Sequence, residues 1–230
     1  MLKQRIISSK IFQRFDLEAF IKWRIIDPIF SSREYQKIKN KDFSIICNSC
    51  LAGGIYHKLG SQYTTPTVGL FFLSEDYIKF LENFEYYIGL SPTFQHDSKH
   101  NHPVGILDDI EIHFLHYKTE QEVEEKWNRR KERINFNNLF FIYSDGDEMG
   151  FQEEYFERYA KLPFERKLFF SGKPRKSSPD CTVIIRDWFD ATRSRKYEKY
   201  IDIIKWLNKE KDFVKEKYRE KEKRLLTIAN

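Results

Sequence analysis

Cysteine and histidine are the side chains best suited to nucleophilic and base chemistry near neutral pH. This chain gathers most of its three cysteines and six histidines into three short stretches. In FSIICNSCLAGGIYHKLG, residues 43–60, an apolar run ends at Cys47, and Cys50 stands at the start of a helix-like pattern. A thiol at a helix start feels the positive end of the dipole and orphan N–H groups, both of which favour the thiolate. Asn48 and the Cys50 backbone N–H are candidate oxyanion donors, and Ala52, Gly53 and Gly54 would let a substrate approach. The base would come from DDIEIHFLHY, residues 108–117, which carries His113 and His116. On a strand these two face opposite sides: Ile112 and Phe114 go with His116, and Glu111, Leu115 and Tyr117 with His113. At most one can serve Cys50. The plainer reading of the same residues is a buried cysteine beside a glycine needed for helix–sheet packing.

Other chemistry is less well matched. Gly53-Gly54 fits neither a dinucleotide fingerprint nor a P-loop. Cys47 and Cys50 have C-x-x-C spacing, but no second pair follows and Cys181 stands alone, so no zinc site is expected. Cys47 reads as core. The third stretch, FQHDSKHNHP, holds His96, His100 and His102 and reads as a polar loop, a flexible lid or a weak metal-trapping loop, of which the plain loop is preferred and no metal ligands are named. YSDGDEMG ends a strand with Asp145 and Asp147, an Asp-x-Asp arrangement that can hold a divalent metal and a nucleotide diphosphate, and equally an ordinary turn. Arg129, Arg130 and Arg133 offer charge for an anionic substrate, or form a solvated helix face paired with Glu124 and Glu125.

The elements that must position these residues alternate. Strands are expected at 43–47, 67–72, 104–107, 110–117, 139–143, 167–170 and 181–185, and helices at 51–59, 74–87, from 119, 152–160 and 197–207. Asp108-Asp109 turns the hairpin. The pattern predicts an α/β or α+β single domain, with a mixed central sheet and helices on both faces. It divides into a basic amphipathic helical arm (1–40), broken near Asp27-Pro28, a core domain (41–207) and a charged helical tail (208–230).

With 40% apolar and 17% aromatic residues the chain is globular. Its net charge of +5 sits wholly in residues 1–40, which hold nine Lys/Arg against four Asp/Glu. That suits peripheral contact of the arm with an anionic membrane face, or packing on the domain with its lysines in water. The body has no basic stripe, which argues against nucleic acid. No apolar run approaches the length of a membrane span, and no secretory leader is expected in MLKQRIISSKIFQRF. The cytoplasm, peripheral to the inner membrane face, is the expected compartment.

NSCLAGGIYHKLG, YTTPTVGLFF, DYIKFL, HPVGILDDIEIHFLHY, EEKWNRRKERINFNNLFFIYSD and LPFERKLFF, taken in order, resemble a bacterial family, the domain of unknown function numbered nineteen-nineteen. Its members are often labelled exopolysaccharide or capsule biosynthesis proteins. The resemblance spans roughly residues 40–190 and implies a cytoplasmic role near surface-polysaccharide assembly. A second similarity is to bacterial papain-like cysteine enzymes. It maps onto Cys50, Leu59-Gly60, Thr65-Pro66, His113 or His116, Arg129-Arg130, Arg133 and Phe140-Phe141, with Asp109 preceding the histidines instead of following them. The leading expectation is a transferase, with Cys-His acyl transfer to a saccharide and no required cofactor. The alternatives are a glycosyltransferase using a divalent metal and a nucleotide sugar at Asp145 and Asp147, and a non-enzymatic assembly factor on the membrane. A saccharide or an activated-sugar substrate is the expected partner.

Overall fold

The computed structural model describes residues 21–94, 100–145, 149–172, 182–185, 196–216 and 218. Along the chain a π-helical turn (Lys22–Ile26) leads into α1 (Asp27–Gln36), β1 (Ser44–Cys47), α2 (Leu51–Leu59), β2 (Phe71–Phe72), α3 (Ser74–Glu82), α4 (Phe84–Gly89) and β3 (Thr93–Phe94). β4 (Val104–Leu107), β5 (Ile110–His113), α5 (Glu120–Lys131), β6 (Leu139–Ser144), α6 (Glu153–Lys161), β7 (Lys167–Ser171), β8 (Thr182–Ile184), a 3₁₀ turn (Lys196–Lys199) and α7 (Ile203–Leu207) follow.

β1, β6, β7 and β8 pair in that order, all parallel. Side chains alternate across this sheet, so each strand feeds two cores. Ile45, Cys47, Phe140, Ile142, Leu168 and Phe170 face α2 and the carboxyl-terminal elements. Ile46, Phe141, Tyr143 and Phe169 face α3 to α6 and the second sheet. Burial on both sides explains why SIIC and LFFIYS are almost continuously apolar. Each fully buried Phe contributes about 1.5–3 kcal/mol of transfer free energy. The second sheet is antiparallel, in the order β2-β5-β4-β3. The chain is therefore an α/β single domain with helices on both faces, and the expected mixture of strand directions is divided between two sheets.

Local chemistry explains most boundaries. The Thr119 hydroxyl accepts the Glu122 N–H at 3.1 Å, and the Glu122 carboxylate accepts the Lys118 N–H at 2.8 Å, so α5 starts where its cap predicts. The expected helix 74–87 breaks at Asn83, whose φ of −125° is not helical. Ser74 is not its cap: Leu73 takes that position, and the Ser74 hydroxyl is buried without a hydrogen-bond partner among the described residues. At Pro28, which offers no N–H, the arm is not cut; a π-helical turn just before it carries the chain into α1. At the start of the charged tail, Asn208 packs back against the residues after α1. It accepts the Lys39 N–H at 2.8 Å and donates to the Lys37 carbonyl, and Val214 bridges to Ile201.

Candidate functional site

Val68–Phe72, the stretch entering β2, ties together most of the residues that sequence spacing singles out. The Asn48 carbonyl accepts the Phe72 N–H at 3.0 Å, the Cys50 thiol lies 3.6 Å from the Leu70 carbonyl, and the His116 N–H donates to the Gly69 carbonyl at 3.0 Å. The Tyr117 hydroxyl donates to the Val68 carbonyl at 2.7 Å. His113 pairs with Phe71 in register and stacks on its ring, with centroids 4.4 Å apart. Gly69 permits this convergence. Its φ is +75°, and a Cβ there would stand 3.2 Å from Tyr117 Cε2 and 3.3 Å from His116 Cβ.

The convergence does not produce a cysteine–histidine pair. Cys50 caps α2, yet the Leu70 carbonyl takes its S–H, and burial, with Cys47 nearby, pushes the thiol up to about 12. Desolvation therefore outweighs the helix start, opposite to the expected thiolate. No histidine nitrogen hydrogen-bonds the Cys50 sulfur among the described residues. His113 is buried with both nitrogens engaged: Nε2 is 2.8 Å from a Glu111 carboxylate oxygen and Nδ1 3.3 Å from His102 Nε2. His116 is exposed in the turn after β5, which ends at His113.

The Asn48 side chain, the expected oxyanion donor, is engaged by the end of β6. Its Oδ1 accepts the Ser144 N–H at 3.1 Å and hydroxyl at 3.0 Å, and its Nδ2 donates to the Ser144 carbonyl and to Met149 Sδ. The side chain thus clamps the carboxyl ends of β1 and β6. Asp145 does the same between β6 and β7, accepting the Ser171 hydroxyl and the Gly172 N–H at 3.0 Å. Its carboxylate is engaged by donors of β7 and the residue after it; the rest of the Asp-Gly-Asp stretch, with Asp147, lies outside the described residues, as does Cys181. Gly53 is taken up by packing, since a Cβ there would meet Val68 Cγ1 at 3.0 Å, whereas Gly54 faces open space. Asp109 lies in the β4–β5 turn, bound by the Tyr87 hydroxyl at 2.5 Å and Lys79 at 3.3 Å, which hold its carboxyl below the usual range.

The three arginines separate. Arg129 pairs with Glu125 at 2.7 Å on the exposed face of α5. Arg130 is only 7% exposed. Its Nη1 donates to the Tyr117 hydroxyl at 2.6 Å, and its guanidinium lies 4.9 Å from the centre of the Tyr63 ring. No carboxylate pairs with Arg130 among the described residues. Arg133, one turn on, reaches the Tyr63 carbonyl at 3.5 Å. Tyr117 bonds Arg130 and the Val68 carbonyl, and Cys50 bonds the Leu70 carbonyl two residues on, so α5, Tyr117 and the start of α2 share one neighbourhood. A concavity of about 320 Å³ at the amino end of β1, lined by Tyr35, Lys41, Asp42 and Tyr56 among others, gathers none of these residues.

A cluster that spacing alone does not reveal forms beside β5. His100, His102 and His113 present nitrogens all within 4.8 Å of one another. His102 is held down to about 4 by burial and by the two neighbouring imidazoles. The β4–β5 register pairs Val104 with His113, which sets His113 two positions from His102. That register follows from the Asp108-Asp109 turn and was the signal available in the sequence.

The matches to known proteins fit this picture. The family model for the domain of unknown function DUF1919 matches residues 21–208, spanning both sheets and α1. An uncharacterized protein of Haemophilus influenzae is 33% identical over 190 residues, covering 78% of this chain and 91% of that protein. The chain belongs to the DUF1919 family.

Proposed function

We propose that the chain is a transferase of bacterial surface-polysaccharide assembly that holds an anionic, activated sugar through Arg130, with Arg133 alongside. The observation that carries this reading is a buried guanidinium facing two tyrosines and no carboxylate among the described residues. Arginine is rarely buried unless paired, because removing its charge from water is costly. Four of its five N–H donors lack a hydrogen bond among the described residues. A phosphate or carboxylate matches that planar fork. The Tyr63 ring beside it offers a stacking face for a sugar or base. The family resemblance, rather than the geometry, supports the link to polysaccharide.

Acyl transfer through Cys50 is the weaker mechanism, because its thiol is protonated at neutral pH and has no histidine partner among the described residues. A metal-bound diphosphate at Asp145 is likewise weaker, since Ser171 and Gly172 engage that carboxylate. The test is replacement of the chromosomal gene by Arg130→Gln in the host bacterium, with surface saccharide composition read by mass spectrometry. The substitution should reproduce the change caused by deleting the gene. An unchanged composition on deletion would remove the reading.

A second reading, peripheral docking on an anionic membrane, is favoured by one feature. Ile21, Ile25, Ile26, Ile29 and Phe30 are 38–66% exposed on a segment that carries Arg24. It predicts co-sedimentation with phosphatidylglycerol vesicles, lost in Ile25→Glu/Ile29→Glu. Equal sedimentation of that variant would contradict it.

A further inference from the structure

We propose that His100, His102 and His113 form a binding site for one divalent transition-metal ion of the zinc class, with Glu111 as the outer partner of His113. The site is independent of the reading of Arg130. Two nitrogens bound to one tetrahedral ion at ~2.0–2.1 Å stand roughly 3.3 Å apart. His102 Nε2 and His113 Nδ1 are 3.3 Å apart. The third imidazole belongs to the same group, with His100 ring centroids 5.4 Å from His102 and 5.2 Å from His113.

A plain hydrogen bond between two imidazoles would explain the His102–His113 distance. It would not explain two other features. His100 Nδ1 is buried and has no hydrogen-bond partner among the described residues, a cost that a native fold usually avoids. And the Glu111 carboxylate takes the far nitrogen of His113, at 2.8 Å, leaving Nδ1 turned towards the other two rings. A carboxylate behind a ligating imidazole fixes its tautomer and raises its basicity, the usual outer arrangement of zinc histidines.

The donor set selects the ion. Three imidazoles, with no inner carboxylate among the described residues, suit zinc, cobalt or nickel, and suit magnesium and calcium poorly. Three ligands from the described residues would leave a fourth position for water, a substrate atom or a further side chain. Phe71 stacks on His113 and touches the edge of His102, giving the cluster an apolar wall. Phe72, the next residue, is bonded to the Asn48 carbonyl, so the ion would lie near the carboxyl end of β1. Ligands commonly bind at that end of parallel sheets.

The experiment uses the untagged full chain, stripped with chelator and titrated calorimetrically with zinc sulfate alone. Cobalt absorption then reports coordination geometry. One ion per chain is expected, with a tetrahedral cobalt spectrum. His102→Ala and His100→Ala should each weaken zinc by roughly 100-fold or more, and Glu111→Gln by about 10–100-fold with the stoichiometry kept. His116→Ala should bind as wild type. Both ring substitutions are at partly exposed positions, and circular dichroism checks that the fold is retained. Absence of saturable zinc binding by the wild type would overturn the site. So would zinc affinity unchanged in His100→Ala and His102→Ala, which would locate any bound ion elsewhere.

Discussion

Arg130 and Tyr117 meet at 2.6 Å, guanidinium Nη1 to phenol oxygen, and the same hydroxyl donates to the Val68 carbonyl at 2.7 Å. Burial raises the Tyr117 pKa, with Arg130 opposing the shift. The phenol therefore keeps its proton at neutral pH and does not neutralise the arginine. Tyr117→Phe removes both contacts and leaves a buried carbonyl and a buried N–H unpaired. Denaturant unfolding should show a loss of about 1–3 kcal/mol. A change within error would mean that water replaces the hydroxyl.

The clamp at the carboxyl ends of β1 and β6 makes a second prediction. Asn48→Ala strips the Ser144 N–H, hydroxyl and carbonyl of their side-chain partner in a buried setting. The expected cost is about 1–3 kcal/mol for each group left unsatisfied, read as a lower unfolding midpoint. Were Asn48 an oxyanion donor instead, the variant would lose activity with its stability unchanged.

Cys50 should be a poor nucleophile. Its thiol is raised from the ordinary 9.0 to about 12, so at pH 8 the folded protein holds almost no thiolate there. Iodoacetamide modification of Cys50, followed by peptide mass spectrometry, should be far slower in the native chain than in denaturant. The linkage sign follows from the raised value. The stabilisation is complete below pH 9 and is lost as pH rises towards about 12. Rapid native alkylation at pH 7 would contradict the half-buried, carbonyl-bound thiol.

Gly69→Ala tests the crossing of β2 with the turn after β5. The positive φ and the close approach of Tyr117 and His116 both oppose a side chain. The backbone conformation alone costs a non-glycine residue about 1–2 kcal/mol, and a thermal melt should show the loss. Gly54→Ala, with open space at its Cβ, is the control and should be neutral or slightly stabilising in a helix.

Much of the fold was legible because its signals are local. Continuous apolar runs marked β1, β6 and β7, the Thr119 cap marked the start of α5, and Asp108-Asp109 marked the hairpin. The division into two sheets was not legible, because strand pairing depends on contacts between distant segments. Neither was the fate of the Cys50 thiol. The helix start is visible in sequence, but the Leu70 carbonyl that takes the S–H arrives from twenty residues away. Among the arginines, spacing marked a group and only packing separated exposed Arg129 from buried Arg130. The histidine cluster needed one step more than residue spacing, the counting of the hairpin register back from its turn to bring His113 beside His102.

If Arg130 receives an anion, calorimetric titration of the full chain with UDP-glucose, and with inorganic pyrophosphate, should show saturable binding near one ligand per chain. That binding should be weakened by higher salt, and weakened roughly 10- to 100-fold in Arg130→Gln when circular dichroism shows the fold intact. Arg129→Gln should bind as wild type. Absence of anion binding by the wild type, or equal affinity in Arg130→Gln, would contradict that role of Arg130.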